Sequence, residues 1–336
     1  MNNKLPMRTL LVVIGMTSSL MVEAEDAANK NIIFSTTSFW YQPIPADAPL
    51  HANSANFTQE FQRQKAAYYG TVNINTTSYA SPIYYATSST PKVTVAEWDC
   101  QRKGYKDKGL AEQFTQVPIP VNAIPAAGTD SEMTVYDPTT KTLWEFWRMQ
   151  KVNGSWQACW GGRIQNASIN EGAFAGYYGT TATSLPFIGG QITAEELQSG
   201  VINHAIGISL VDIEKSTIFS WPAHRSDGLN PTNAPNRIPE GLRFRLDPSV
   251  NVDSLNMHPM GKVIAKAAQK YGFVVWDKAG AISIRAQNPY SYVSADSLTL
   301  LPNPYKLLFG STQSYAILNG FPWNKLQFLP MDYGKP

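Results

Sequence analysis

The chain carries little charge. Asp, Glu, Lys and Arg together make up 15% of its 336 residues, where an average soluble domain has about 25%. That excludes a coiled coil, a charged interaction tail and a disordered polyelectrolyte. The formal net charge is +2, too small to mark a nucleic-acid surface or a basic membrane patch. Cysteine is scarcer still, with only Cys100 and Cys159. His51, His204, His224 and His258 show no metal-ligand spacing, and no EF-hand, phosphate loop or nucleophile elbow occurs. No metal and no cofactor is therefore expected. Beyond the N-terminus no stretch approaches about 18 apolar residues, so no membrane anchor is expected. Nothing in the composition points to a protein partner.

Aromatic residues are plentiful by contrast, at 12% with 9 Trp and 16 Tyr. The N-terminus reads as an export signal over residues 1–24. Lys4 and Arg8 start it, an apolar run through Leu10–Ile14 follows, and Val22-Glu23-Ala24 offers small residues for cleavage. The expected location is periplasmic or extracellular. In such an oxidising compartment an isolated cysteine pair is most simply a disulfide. Closing the Cys100–Cys159 loop stabilises the fold by roughly 4 kcal/mol on the chain-entropy account.

Residues 25–56, rich in Ala, Asn, Pro and Ser, read as an exposed lead-in to a single domain over 57–336. A helix follows with Phe57, Phe61 and Tyr68 near one face and Gly70 closing it. From Thr71 onward, short β-branched and aromatic runs alternate with Gly, Pro and Asn. Regular turns between short strands point to an all-β fold, a single β-sandwich of jelly-roll type with a few short helices. Thr193-Ala-Glu-Glu196 is a capping box, and Gly261–Tyr271 is amphipathic. Strands are expected at Ile202–Val211, Thr217–Trp221 and Leu242–Leu246, with a hairpin turning at Asp277–Gly280. Arg243 and Arg245 alternate with apolar neighbours and read as a solvated strand face. The segment from Pro222 to Gly241 is longer than a compact domain needs as a connection, which favours a functional loop.

The most informative local signal lies in residues 142–164. Asn153-Gly154 is the preferred pair for a two-residue type I′ turn, because both positions need positive φ. With Val152 and Ser155 flanking the turn, Trp147 opposes Trp160, Glu145 opposes Gly162 and Trp144 opposes Arg163. Alternation then places Leu143, Glu145, Trp147 and Met149 on one face with Trp156, Ala158, Trp160, Gly162 and Ile164. Two readings follow. The face packs into the core and Glu145 is satisfied by an Arg or by backbone amides; or it lines a groove. In the second, Trp147 and Trp160 stack on sugar rings, Gly162 leaves room for substrate, and Glu145 is a general acid whose apolar surroundings raise its pKa.

Other candidates are less specific. His204 falls on the apolar face of its strand, either as a core histidine or as a base. Trp221 precedes the long loop, where His224, Arg225 and Asp227 could add a sugar platform, an anion-binding arm and a second carboxylate, although Ser226-Asp-Gly228 is also a plain turn signal. Arg163 or Arg225 could neutralise a uronate.

Trp144-Glu-Phe-Trp147, Leu185-Pro-Phe-Ile-Gly-Gly190, Ile202-Asn-His-Ala205, Trp221-Pro-Ala223, Ile238-Pro-Glu-Gly-Leu-Arg-Phe-Arg-Leu246 and Lys270-Tyr-Gly272 resemble segments of a family of uncharacterised secreted bacterial proteins. The resemblance spans about residues 118–290; it implies one coherent module and no activity. The expectation from the residues themselves is a glycan-active enzyme, a polysaccharide hydrolase with Glu145 as acid and Asp227 as base or nucleophile. A polysaccharide lyase and a non-catalytic glycan-binding or envelope protein are the rivals. In each case the partner is a polysaccharide or oligosaccharide.

Overall fold

The computed structural model of the protein describes residues 32–294 and 299–336; the expected export signal over 1–24 lies outside the described residues. Fifteen strands among the described residues form four sheets, none closed into a barrel. The β-rich character read from the turn spacing is thus present. The larger sheet has six strands in the order Asn73–Asn75, Ser283–Arg285, Ile206–Leu210, Phe273–Lys278, Arg243–Leu246 and Leu326–Phe328. Its first two strands are parallel, as are Ile206–Leu210 and Phe273–Lys278, while the other pairs are antiparallel. A jelly roll, antiparallel throughout, does not have this mixture.

Strand Phe273–Lys278 shows how the layers arise. Phe273 and Val275 point to one side, into a core with Ile264, Ala265 and Ala268 from helix Pro259–Lys270 and with Phe57 and Phe61 from helix Ser54–Ala67. Val274 and Trp276 point to the other, against Trp40, Phe174 and Phe187. Beyond that aromatic layer lies the second sheet, ordered Trp160–Ile164, Thr142–Trp147, Met133–Asp137 and Ile83–Tyr85. Its inner face adds Tyr136, Leu143 and Ile164 to the aromatic layer. Its outer face carries Val135, Trp144 and Phe146 beneath Leu110 and Phe114. The helix starts follow their sequence signals. Thr193 and Glu196 close the expected capping box, and His258 accepts the Met260 amide at 3.2 Å ahead of helix Pro259–Lys270.

Several expectations are corrected. Residues 32–56 are not an exposed lead-in: Phe34, Phe39, Trp40 and Ile44 are buried, and Trp40 donates to the Gly172 carbonyl at 2.9 Å. A Pro- and Ser-rich composition hides this, because a few aromatic anchors suffice to seat an irregular segment. Thr217–Trp221 forms no strand. The hairpin across Asp277–Gly280 does not exist as such. Ile206–Leu210 lies between its two strands, pairing parallel with one and antiparallel with the other. Arg243 and Arg245 are buried. Arg245 donates to the Ala46 carbonyl at 2.8 Å, and Arg243 to that of Tyr271 at 3.2 Å. The chain that covers them comes from elsewhere in the sequence, which alternation cannot reveal.

Trp40 is fully buried and meets Trp276 edge-on at 6.4 Å. Trp40→Ala is expected to destabilise the protein by about 3–5 kcal/mol, measured as a lower midpoint in urea with an unchanged slope.

Candidate functional site

The hairpin register is as the Asn-Gly turn requires. Asn153 and Gly154 both have positive φ, and Val152 opposes Ser155. Trp147 opposes Trp160, Glu145 opposes Gly162 and Trp144 opposes Arg163. The single face expected along its whole length is not maintained. Arg148 has a φ of 53°, which breaks the alternation. Beyond it Met149, Trp156 and Ala158 join the outer cluster with Trp144 and Phe146, away from Leu143 and Ile164.

Glu145 therefore has a different environment from the groove expected for it. It is fully buried. A Cβ on Gly162 would lie 2.8 Å from the Phe174 ring and 2.9 Å from the Gly179 amide, so the space across from Glu145 is already filled by protein. Thr180 Oγ1 donates to Glu145 Oε2 at 2.8 Å and the Ile188 amide to Oε1 at 3.1 Å. Burial pushes its carboxyl up to about 7, against those hydrogen bonds. The backbone-satisfied reading is the one realised, and Glu145 is not at the wall of a cavity.

The same hairpin nonetheless emerges at one end into a cleft of about 720 Å³. Trp147 and Trp160 line it, with Tyr177 stacked on Trp160 at 5.9 Å. Trp147 Nε1 donates to Asp130 at 3.0 Å, which fixes the indole at the rim. The loop after Cys100 adds Lys103, Tyr105 and Asp107 to the lining, with Asp107 accepting from the Tyr177 hydroxyl at 3.0 Å. The expected Cys100–Cys159 disulfide is formed and joins this loop to the residue preceding Trp160. Asp99 turns the loop by accepting the amides of Lys103 and Gly104, each at 2.7 Å. Lys103 Nζ then sits 5.1 Å from the Trp160 ring.

The floor of the cleft is ionic. Arg285, buried at the end of its strand, donates to Glu132 at 2.6 Å and faces Asp277 at 3.6 Å. Its guanidinium lies 4.1 Å from the centre of the Phe187 ring, a cation–π arrangement. Glu132 Oε2 and Arg285 Nε are buried without a hydrogen-bond partner in the protein. Asp277 is half-buried at the carboxyl end of strand Phe273–Lys278. Burial raises it to about 7; the nearby Asp227 adds to the rise and Arg285 opposes it. Asp227 and Arg225 reach the cleft from the long loop, so that loop does bring polar groups to a cavity. Arg225 is braced by the Thr181 carbonyl at 2.7 Å and Ser184 Oγ at 3.1 Å. Behind it the buried Glu240 accepts the Asp227 amide at 3.1 Å, and burial raises its carboxyl to about 8.

Of the residues singled out from sequence, Trp147, Trp160, Arg225 and Asp227 meet in this cleft. The others stand elsewhere. His204 is buried beside Glu196, 3.2 Å away, and contacts the Ala205 carbonyl at 2.8 Å. Burial would lower it, but Glu196 outweighs that and holds the imidazole above its usual value. His224 pairs with Glu171 at 3.3 Å. Trp221 packs edge-on against Phe39 at 5.5 Å, and Arg163 opposes Trp144. Missed from sequence were Glu132, Asp277 and Arg285. One signal for Asp277 was available: an acid ending the apolar run Phe273–Trp276, since ligands of sheets with parallel strands collect beyond strand carboxyl ends. Glu132 and Arg285 carried none.

Comparison of the chain with protein-family models, curated proteins and solved structures finds no match. Among the described residues no helix is long and apolar enough to cross a membrane.

Two predictions follow from these environments. Asp277 and Glu145 (about 7) and Glu240 (about 8) all titrate above their usual carboxylate values. The fold prefers their neutral forms, so their contribution is complete below the unfolded-state pKa of about 4 and is lost as pH rises towards about 8. The urea midpoint should fall over that interval, and Glu240→Gln should flatten the decline. Replacing both cysteines by serine opens a loop with a sequence separation of 59. The expected loss is up to about 4 kcal/mol of unfolding free energy, read from denaturant titrations of variant and parent.

Proposed function

We propose that the protein is an exported glycan-active hydrolase, with Asp277 as general acid and Asp227 as the second carboxylate. The observation that carries this reading is the conjunction in one cleft of an aromatic wall, Trp147 and Trp160, with a carboxyl whose pKa is raised to about 7. A proton donor to a glycosidic oxygen must be neutral near its working pH and reachable; Asp277 lines the cleft and Glu145 does not. Glu145 is instead a positioning residue. Its carboxylate receives Thr180, a cleft-lining residue, and the Ile188 amide next to Phe187, on which Arg285 rests.

In this reading the ring faces of the substrate lie on the indoles, where flat apolar area gives affinity at low entropic cost. Asp277 protonates the leaving oxygen. Asp227, exposed on its loop, activates water or attacks the anomeric carbon. Arg225 and Arg285 order the floor. The lining holds five acidic and four basic residues. Such balance supports a neutral glycan over the uronate polymers that a lyase would take.

Release of reducing ends from a panel of neutral polysaccharides tests the proposal. Asp277→Asn should lower turnover at least about 100-fold, and activity should decline above about pH 7 as Asp277 ionises. Turnover of the parent chain that survives Asp277→Asn would remove the assignment. An unsaturated product absorbing in the near ultraviolet would point to a lyase. Binding without any cleavage would leave a glycan-binding protein.

A further inference from the structure

A second cavity, of about 710 Å³, opens beside the first, and Asp130, Lys278 and Arg285 line both. We infer that the two form one continuous groove, and that the ligand is an extended, neutral glycan chain running from the Trp147–Trp160 wall across Asp130 to a distal tyrosine-lined subsite. This rests on the glycan reading above and gives it a chain length and a direction.

The distal cavity is not a featureless hollow. Tyr69, Tyr79 and Tyr315 line it, with Asn73 and Asn75 from the outermost strand of the six-stranded sheet. Tyr69 is 81% exposed and Tyr315 54%, far more than such rings need for packing. Tyr69 and Tyr79 also have φ of 66° and 58°. Tyr69 takes this conformation where helix Ser54–Ala67 ends, the Gly70 amide closing the last turn on the Lys65 carbonyl at 2.9 Å. Aromatic rings beside side-chain amides supply what a sugar requires, a flat apolar surface and neutral hydrogen-bonding groups.

Continuity is a matter of shared residues. Asp130 accepts from Trp147 on the proximal side while lining the distal one. Each cavity alone lies within the roughly 300–1,000 Å³ that holds one drug-sized ligand. Together they have room for several linked rings.

The probes are linear hexaoses and disaccharides of glucose, xylose, mannose and N-acetylglucosamine, titrated calorimetrically against the intact protein. At least one hexaose should bind at least tenfold tighter than its disaccharide. Tyr69→Ala and Tyr315→Ala, both at exposed side chains, should weaken that hexaose by about 3- to 10-fold and leave the disaccharide unchanged. Trp147→Ala should weaken both, and thermal unfolding confirms that each variant is folded. If Trp147→Ala weakens binding while both tyrosine variants match the parent, the extended groove is wrong and the proximal site stands. If no saccharide binds the parent protein, the glycan reading and the groove fall together.

Discussion

A guanidinium taken out of water is the constraint around which the cleft is organised. Burying the Arg285 side chain obliges the protein to surround it with compensating groups. Glu132 supplies one hydrogen bond, Asp277 a second, longer ionic contact, and the rings of Phe187 and Trp276 the remaining walls. These partners come from three parts of the chain. Glu132 immediately precedes a strand of the smaller sheet, Asp277 ends a strand of the larger one, and Phe187 lies in the segment between. The ionic contact therefore ties the two sheets together at the place where the cavity opens.

The cost of this arrangement falls on the carboxylates. One arginine serves two acids, while Asp227 and Glu240 crowd in from the loop side. Desolvation dominates, so Asp277 and Glu240 hold their protons into the neutral range. Glu132 Oε2 and Glu240 Oε1 are buried without protein partners.

What the sequence made legible was local. A two-residue turn leaves one register available, so Asn153-Gly154 determined every opposed pair from Val152–Ser155 to Leu143–Ile164. Thr193 to Glu196 specified a helix start by the same short-range logic. The break in the hairpin face at Arg148 is local, but other failures involve chain arriving from far away. Gly162 looked like a space left for ligand, but Phe174 fills it; Arg245 looked solvated, but Pro45 and Ala46 cap it. The cleft was half visible for the same reason. Trp147 and Trp160 share a hairpin and could be paired by counting, whereas Asp277 and Arg285 face each other from strands that Ile206–Leu210 separates, a pairing no local signal records.

Residues near the start of the described chain occupy positions that only its end can enclose. The Trp40 ring waits for Trp276, and the Phe328 amide bonds Ser54 across 274 residues of sequence. Contacts of such separation make a fold slow to form, because long loops must close before the first reward is collected. A nascent copy lacking its final strand has no complete hydrophobic centre. Its largest core would thus close only once that strand has been made.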